Sequence, residues 1–376
     1  MKIKTMEISS LDMIYGLEKE WNALLQATGM DSPFLAHEWF VSCLHAYGEG
    51  KVPAVITFRE EDRLVGIAPC WRYQDRARGV NLRRVGFIRC LDTPYCDLII
   101  EPGHRQAVVK LFAGIIFQDG QGQSDIATFD AWSVQSPNLT LIKQVFREEA
   151  VPIFLESASV NPYLPLEGDW EAFINSKSQR FRKTYRNVVN RVRRLGRIQV
   201  DCMKGDPSGD LLKDIFGVSE RGWKHQQGLA MTNSQEAMRF FSRLTKVSSE
   251  KGWLMVWLLR LDGEPIAMEF DLVQGGVVSA LRSDFDEKYG EHSPGSYLEY
   301  EIMQNLFMGG FAEYNTGPGV NAYKLKWTDA AREHQRLHVF GRTMRGRLYR
   351  AIEGTLIPML KRVRTRWFSK CEPVVA

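Results

Sequence analysis

Between Gly252 and Trp327 the chain alternates β-rich runs with turn signals in an order that few folds can satisfy. Trp253 to Leu261 (WLMVWLLRL) is a long apolar run rich in strand formers. Asp262-Gly263 marks a tight turn, and Ile266 to Val273 (IAMEFDLV) is the returning strand. Pro265 stands at the edge of that strand, where a missing N–H is tolerated. Gln274-Gly275-Gly276 turns again into a third strand, Val277 to Ser283. Ser293-Pro294-Gly295-Ser296 then opens a helix through Tyr297 to Met308. Ser293 suits the N-cap and Pro294 the first helical position. Leu298, Ile302, Leu306 and Phe307 recur at helical spacing, and Gly309-Gly310 ends the run.

The start of that helix carries the chemistry, if the chain has any. Its first turn offers N–H groups at Gly295, Ser296 and Tyr297, and the positive end of the helix dipole lies there. Such a site suits a phosphate, and the small Gly295 and Ser296 let a ligand approach the backbone. A helix start capped for stability alone has the same sequence.

A chain of 376 residues holds two domains more readily than one. The formal charge of +4 is modest, so the net field says little about partners. Cys43, Cys70, Cys90, Cys96, Cys202 and Cys371 form no C-x-x-C pair and read as reduced structural thiols of a cytoplasmic protein. The opening MKIKTMEISS lacks the apolar core of a signal peptide, and no window approaches eighteen apolar residues, so no membrane-spanning helix is expected.

Taken in order, the first half predicts a helix over Asp12–Leu25 and a second one opened by Ser32-Pro33 and running to Gly48. Strands follow at Val52–Phe58 and Leu64–Trp71. Arg76 to Arg84 reads as a basic loop before a strand at Val85–Cys90, and Leu98–Ile100 as a short strand. Pro102-Gly103 opens a helix that precedes a strand at Ile126–Phe129. The later half repeats this order at an offset of about 200 residues: helix, glycine, strand, acidic turn, strand, Pro-Gly, helix, strand. The expected fold is therefore α/β, with two copies of one unit, each a mixed but mostly antiparallel sheet flanked by helices. The domains expected are 1–165, 166–340 and a tail, 341–376.

Two segments are strongly basic. From Lys177 to Arg197 there are nine Lys or Arg and no acid, with Phe181, Tyr185, Val188, Val189, Val192 and Leu195 at helical steps. This is an amphipathic helix whose basic ridge is either solvated or faces a polyanion, a phosphate-bearing substrate or an anionic membrane. No sequence-specific DNA-binding module is present. From Gly341 to Lys370 nine Lys or Arg stand against Glu353 alone, with apolar residues between and Pro358 as a kink. Such a tail lies on an anionic membrane surface or docks back on the protein. His334 and His338 have i, i+4 spacing but no evident third ligand, so no metal is expected.

The stretch from about Lys177 to Trp327 resembles the acetyltransferase domain of the cellulose-biosynthesis CelD family, within the GNAT superfamily. The resemblance rests on the basic helix ending in Leu195-Gly196, on Arg221-Gly222-Trp223-Lys224, on the Asp262-Gly263 hairpin, on Ser293-Pro294-Gly295, and on Tyr323-Lys324 with Trp327. A duplicated unit of this kind also resembles the Fem-type peptidyltransferases, in which a Lys near the end of the second domain matches Lys324. Two departures stand out. Glu291-His292-Ser293-Pro294-Gly295-Ser296 replaces the Gln/Arg-x-x-Gly-x-Gly/Ala phosphate loop of simple GNAT enzymes, and Asn315 stands where an acid is expected.

The resemblance implies direct transfer of an acyl group from acetyl-CoA or another acyl-CoA, held between two splayed strands, to an amine or hydroxyl. It implies cofactor contacts at Ser293, Gly295, Ser296 and Tyr297, and substrate contacts at Trp223, Tyr323 and Trp327. Base candidates are His225, Glu269 and Asp284; Glu269 and Asp271 point to one face of their strand, and a His has a suitable ordinary pKa. Lys324 neutralises a phosphate or an oxyanion, or is merely exposed. Three functions follow as expectations. The first is an acyltransferase acting on a sugar or glycan precursor of the cell envelope, cytoplasmic and peripheral to the inner face of the membrane through its tail. The second is a Fem-like transferase using aminoacyl-tRNA. The third is a non-catalytic accessory protein of a polysaccharide assembly.

Overall fold

Asp262 and Gly263 both take positive φ, 51° and 96°, so Leu261 and Glu264 face each other across a two-residue loop. This turn matches the twist of the strands it joins, and it is the most local of the contacts that build the second half. The computed structural model describes residues 3–117, 124–205 and 209–353. Its strands are β1 (Ile3–Ile8), β2 (Lys51–Glu60), β3 (Arg63–Ala77), β4 (Val80–Phe87), β5 (Ile99–Ile100), β6 (Ile126–Ser133) and β7 (Ile153–Pro165) in the first part of the chain. The second part adds β8 (Ile198–Met203), β9 (Leu254–Leu261), β10 (Glu264–Gln274), β11 (Val277–Phe285), β12 (Glu313–Asn315) and β13 (Ala331–Phe340).

All of them join one sheet in the order β1-β2-β3-β4-β6-β13-β7-β12-β11-β10-β9-β8, with β5 on the side of β3. Two ladders between named strands are parallel, β4–β6 and β11–β12. A parallel pair needs a crossover, and each has its helix: Arg105–Ile115 in the first half and Pro294–Met308 in the second. Each half of the chain thus repeats one α/β arrangement, a strand, a crossover helix and a parallel strand, as the repeated order predicts.

The halves exchange their last strands. β7 follows β6 in the chain but pairs with β12, while β13 follows β12 but pairs with β6; β7 and β13 also pair with each other. Neither half's sheet is complete without the other's strand. One apolar cluster spans the halves as well, where the helix His37–Tyr47 packs on the helix Gln235–Glu250 and Trp39 meets Phe240 edge-on at 5.2 Å.

Several local expectations change. The helix expected over Asp12–Leu25 is two, Leu11–Gly16 and Glu18–Thr28. Arg76 to Arg84 is no loop: β3 and β4 run through it and turn at Arg78 and Gly79, both at positive φ, with Arg84 buried against Asp75. The basic segment forms the helix Gln179–Arg193, packed by Tyr185, Val188 and Val192 against the helix Pro294–Met308. His334 and His338 lie on β13, where four residues span about 13 Å, so they cannot share one ion. Most of the basic tail, with Pro358 and Cys371, lies outside the described residues, which end with the helix Met344–Ala351 and Glu353. Among the described residues no helix is long and apolar enough to cross a membrane.

Candidate active site

The β11–β12 ladder covers only Val277–Ser279 against Glu313–Asn315. β11 then continues to Phe285 while the chain after β12 turns away, so the two strands splay. The turn is held in place by its backbone. Gly317, at φ 75°, lies so close to β11 that a Cβ there would stand 2.7 Å from the Ala280 carbonyl oxygen. Lys324 fixes the same turn: its Nζ donates to the carbonyls of Gly317 (3.1 Å) and Pro318 (2.9 Å).

A cavity of about 280 Å³ opens where the strands part. Glu269 on β10 and Ser283, Asp284 and Phe285 on β11 form one side of it. Gly295, Ser296 and Glu299 of the crossover helix form another, and Trp223, Lys224 and Tyr323 complete the mouth. Gly295 is small for a packing reason: a Cβ there would stand 3.1 Å from Phe285 Cδ1. Among the described residues nothing accepts the N–H of Gly295 or Ser296. Arg191 Nη2 donates to Ser293 Oγ (3.0 Å), which puts a guanidinium beside the same helix start.

The carboxyl groups differ in their surroundings. Glu269 is 6% exposed and accepts from the Tyr314 hydroxyl through Oε1. Burial raises its pKa, and Tyr314, Asp271 and Lys324 pull it back. Asp271 is fully buried beside it and makes no hydrogen bond of good geometry; burial and the Glu269 charge hold its proton on, since two adjacent carboxyls cannot both ionise. Burial pushes Glu299 up to about 8, with Tyr185 Oη donating to it at 3.3 Å. Asp284 is bound on both oxygens, by Lys224 Nζ at 2.8 Å and Ser219 Oγ at 2.9 Å. Lys324 is 5% exposed, and burial brings its pKa down to about 8.

The structure brings together Glu269, Asp284, Gly295, Ser296, Trp223 and Tyr323 from the expected set. The others lie elsewhere. His225 is exposed on the four-residue helix Trp223–Gln226 and does not line the cavity. Ser293 takes a left-handed conformation (φ 62°), and its side chain caps nothing; its carbonyl accepts from Tyr297 N at 3.1 Å. The Tyr297 amide is therefore already used, and its ring is buried. Trp327 is fully buried, edge-on to Phe181 at 5.1 Å, and belongs to the core. Lys324 is not exposed but does not line the cavity either; its ammonium clamps the Gly317-Pro318 turn. Glu299 and Tyr314 are additions. The signal for Glu299 is its position four residues after Gly295, which sets it on the same helix face. Tyr314 has no local signal, because its partner lies on another strand.

Residues 179–325 match the family profile described as an acetyltransferase (GNAT) domain. No curated protein matches the sequence. Among solved structures, FemX is similar over 93% of this chain and 100% of its own, with a TM-score of 0.60 and 11% identity. The C-terminal domain of a putative lysylphosphatidylglycerol synthetase from Agrobacterium fabrum covers 88% of this chain and 92% of its own, with a TM-score of 0.55 and 14% identity. L-PGS from Bacillus licheniformis covers 93% and 96%, with a TM-score of 0.54 and 15% identity. At these identities the likeness is one of fold.

Proposed function

We propose that this protein is an acyltransferase that moves an acyl group, acetyl in the simplest case, from acyl-CoA to an amine or hydroxyl of a sugar or glycan precursor. The observation that carries the reading is the cavity in the strand splay, which ends on the unpaired amides of Gly295 and Ser296. Those amides and Arg191 suit the phosphates of the donor. The acyl thioester then lies between β11 and β12, its carbonyl polarised by backbone N–H groups. The acceptor nitrogen or oxygen attacks that carbonyl. A C–N or C–O bond forms, the C–S bond breaks, and the acceptor's proton passes to the Glu269 carboxylate. Glu299, protonated at neutral pH, suits return of a proton to the leaving thiolate. Lys324 acts as a positioning residue that keeps the splay open, and its charge near Glu269 favours the ionised base. Trp223 and Tyr323 at the mouth suit contact with the acceptor.

Use of acyl-CoA and of a sugar precursor assigns the protein to the cytoplasm, and the basic composition of residues 341–370 suits contact with the inner face of the membrane. On this reading residues 1–165 and 166–340 are the two domains, the second carrying the cavity.

A second reading, transfer of an aminoacyl group from tRNA, is favoured by one observation. Arg180, Lys183 and Arg186 are exposed on the helix Gln179–Arg193 without an ionic partner among the described residues. Thermal-shift measurements with acetyl-CoA, longer acyl-CoAs and tRNA separate the readings, because a ligand of the native state raises the Tm. Stabilisation by an acyl-CoA supports the first. Stabilisation by tRNA alone, lost steeply with added salt, replaces it with the second.

A further inference from the structure

A second and larger concavity, of about 610 Å³, lies on strands that take no part in the cavity at Glu269. Its floor is one face of the sheet, so alternate residues of each strand point into it. β3 contributes Trp71, Tyr73 and Asp75, and β13 contributes Arg336 and His338. Thr128 and Asp130 come from β6, Phe154 and Glu156 from β7. The strand exchange therefore assembles this floor from both halves.

The polar groups form a lattice of alternating donors and acceptors. Arg84 Nε binds Asp75 at 2.7 Å, and Arg89 binds Asp130 at 2.5 Å. Arg336 bridges Asp130 (2.9 Å) and Glu156 (2.7 Å), and His338 Nε2 meets Glu156 at 3.2 Å. A purely anionic ligand laid on this floor would face Asp75, Asp130 and Glu156; a cationic one would face the arginines. Hydroxyl groups, each both donor and acceptor, can serve such a lattice throughout. Flat apolar surface stands beside it. Phe154 is 50% exposed and stacked on His338 at 6.1 Å, and the Tyr349 ring lies 5.4 Å from the Arg84 guanidinium. Two cationic donors are left over. Lys51 Nζ sits 3.7 Å from the Trp71 ring centroid with no carboxylate partner among the described residues, and the buried Arg89 Nε has no acceptor.

We propose that this trough is a binding site for a sugar carrying one anionic group, its ring against Phe154, its hydroxyls on the Arg336–Glu156–Asp130 lattice and its charge toward Lys51 and Arg89. The volume falls within the range of small-molecule sites, which run from about 300 to 1,000 Å³. The site stands apart from the acyl-transfer reading, since none of its residues borders the cavity at Glu269.

The test is calorimetric titration of the full chain with glucose 1-phosphate, glucose and inorganic phosphate. Saturable binding of glucose 1-phosphate is expected, with either fragment weaker by about tenfold or more. Phe154→Ala, at a half-exposed ring, and Lys51→Met, which orphans no carboxylate among the described residues, each weaken it by about fivefold or more with the Tm unchanged. Gly295→Leu, in the other cavity, leaves it unchanged. Absence of saturable binding overturns the proposal. So does inorganic phosphate binding as tightly as the sugar phosphate, or binding that survives both trough substitutions, or binding lost with Gly295→Leu.

Discussion

The Tyr314 hydroxyl donates to Glu269, so that a residue of β12 reaches past β11 to a carboxyl on β10. The bond ties β12 to β10 across β11, the strand between them. It also places a neutral donor on a buried carboxyl whose pKa is already raised by desolvation. A carboxyl so placed takes up a proton more readily than an exposed one.

Glu269→Gln is expected to lower acyl-transfer turnover by about 10²- to 10⁴-fold while acyl-CoA affinity stays within about threefold. Tyr314→Phe leaves the carboxyl in place and lowers turnover less. Steady-state kinetics with a binding measurement on each variant checks this; a loss below about tenfold for Glu269→Gln would remove Glu269 from the role of base.

Stability should depend on pH through Glu299 and Lys324 in opposite senses. Glu299 rises from an ordinary 4.5 to about 8 in the fold, so the native state holds a proton the unfolded chain has lost. Its penalty is absent below about 4.5, grows as pH rises, and is complete above about 8. Lys324 falls from 10.5 to about 8, so its penalty is complete below 8 and relieved as pH approaches 10.5. Denaturant titrations should therefore find that the advantage of Glu299→Gln over the parent grows between pH 5 and 8. The advantage of Lys324→Met should shrink between pH 8 and 10.5. Differences that stay flat across both windows would contradict the burial of these two groups.

The strand exchange makes a physical prediction about the halves. Residues 166–376 alone lack β7, which leaves β12 paired on one side only and β13 without either of its neighbours. Unpaired edges of this kind aggregate. Expressed alone, that fragment is expected to be insoluble or unfolded by circular dichroism, and co-expression with residues 1–165 to restore a soluble complex. A cooperatively folded, soluble 166–376 fragment would show that the exchanged strands are dispensable.

What could be read from the sequence followed the range of the interactions. The Asp262-Gly263 turn, the helix opened by Pro294 and the basic helix ending before Gly196 are local features, and each stands where its residues predict. The Arg76–Arg84 hairpin was hidden because its charges pair across strands, Arg84 with Asp75, rather than mark a solvated loop. β7 and β13 carry no sign of their exchange, since a strand's partner is not written in its own residues. In the site, Gly295, Ser296 and Glu269 come together because the hairpin and the crossover helix meet there. Trp327 and Tyr297 went to the core because large aromatic rings beside an amphipathic helix gain more from packing than from lining a small cavity. His225, expected as a base in a polar loop after Trp223, is exposed and lies outside the cavity. Glu299 draws its elevated pKa from burial that no composition records.

The most direct test is calorimetric titration of acetyl-CoA into the parent protein and into Gly295→Leu. The backbone at Gly295 is ordinary helix, but a Cβ there stands 3.1 Å from Phe285 Cδ1, so the Phe285 ring must give to admit a larger side chain, which closes the approach to the free amides. Saturable binding by the parent, reduced by about a hundredfold or more in a Gly295→Leu protein that still unfolds cooperatively, is the predicted result. Equal binding by both proteins, or none by the parent, would contradict an acyl donor held at this helix start.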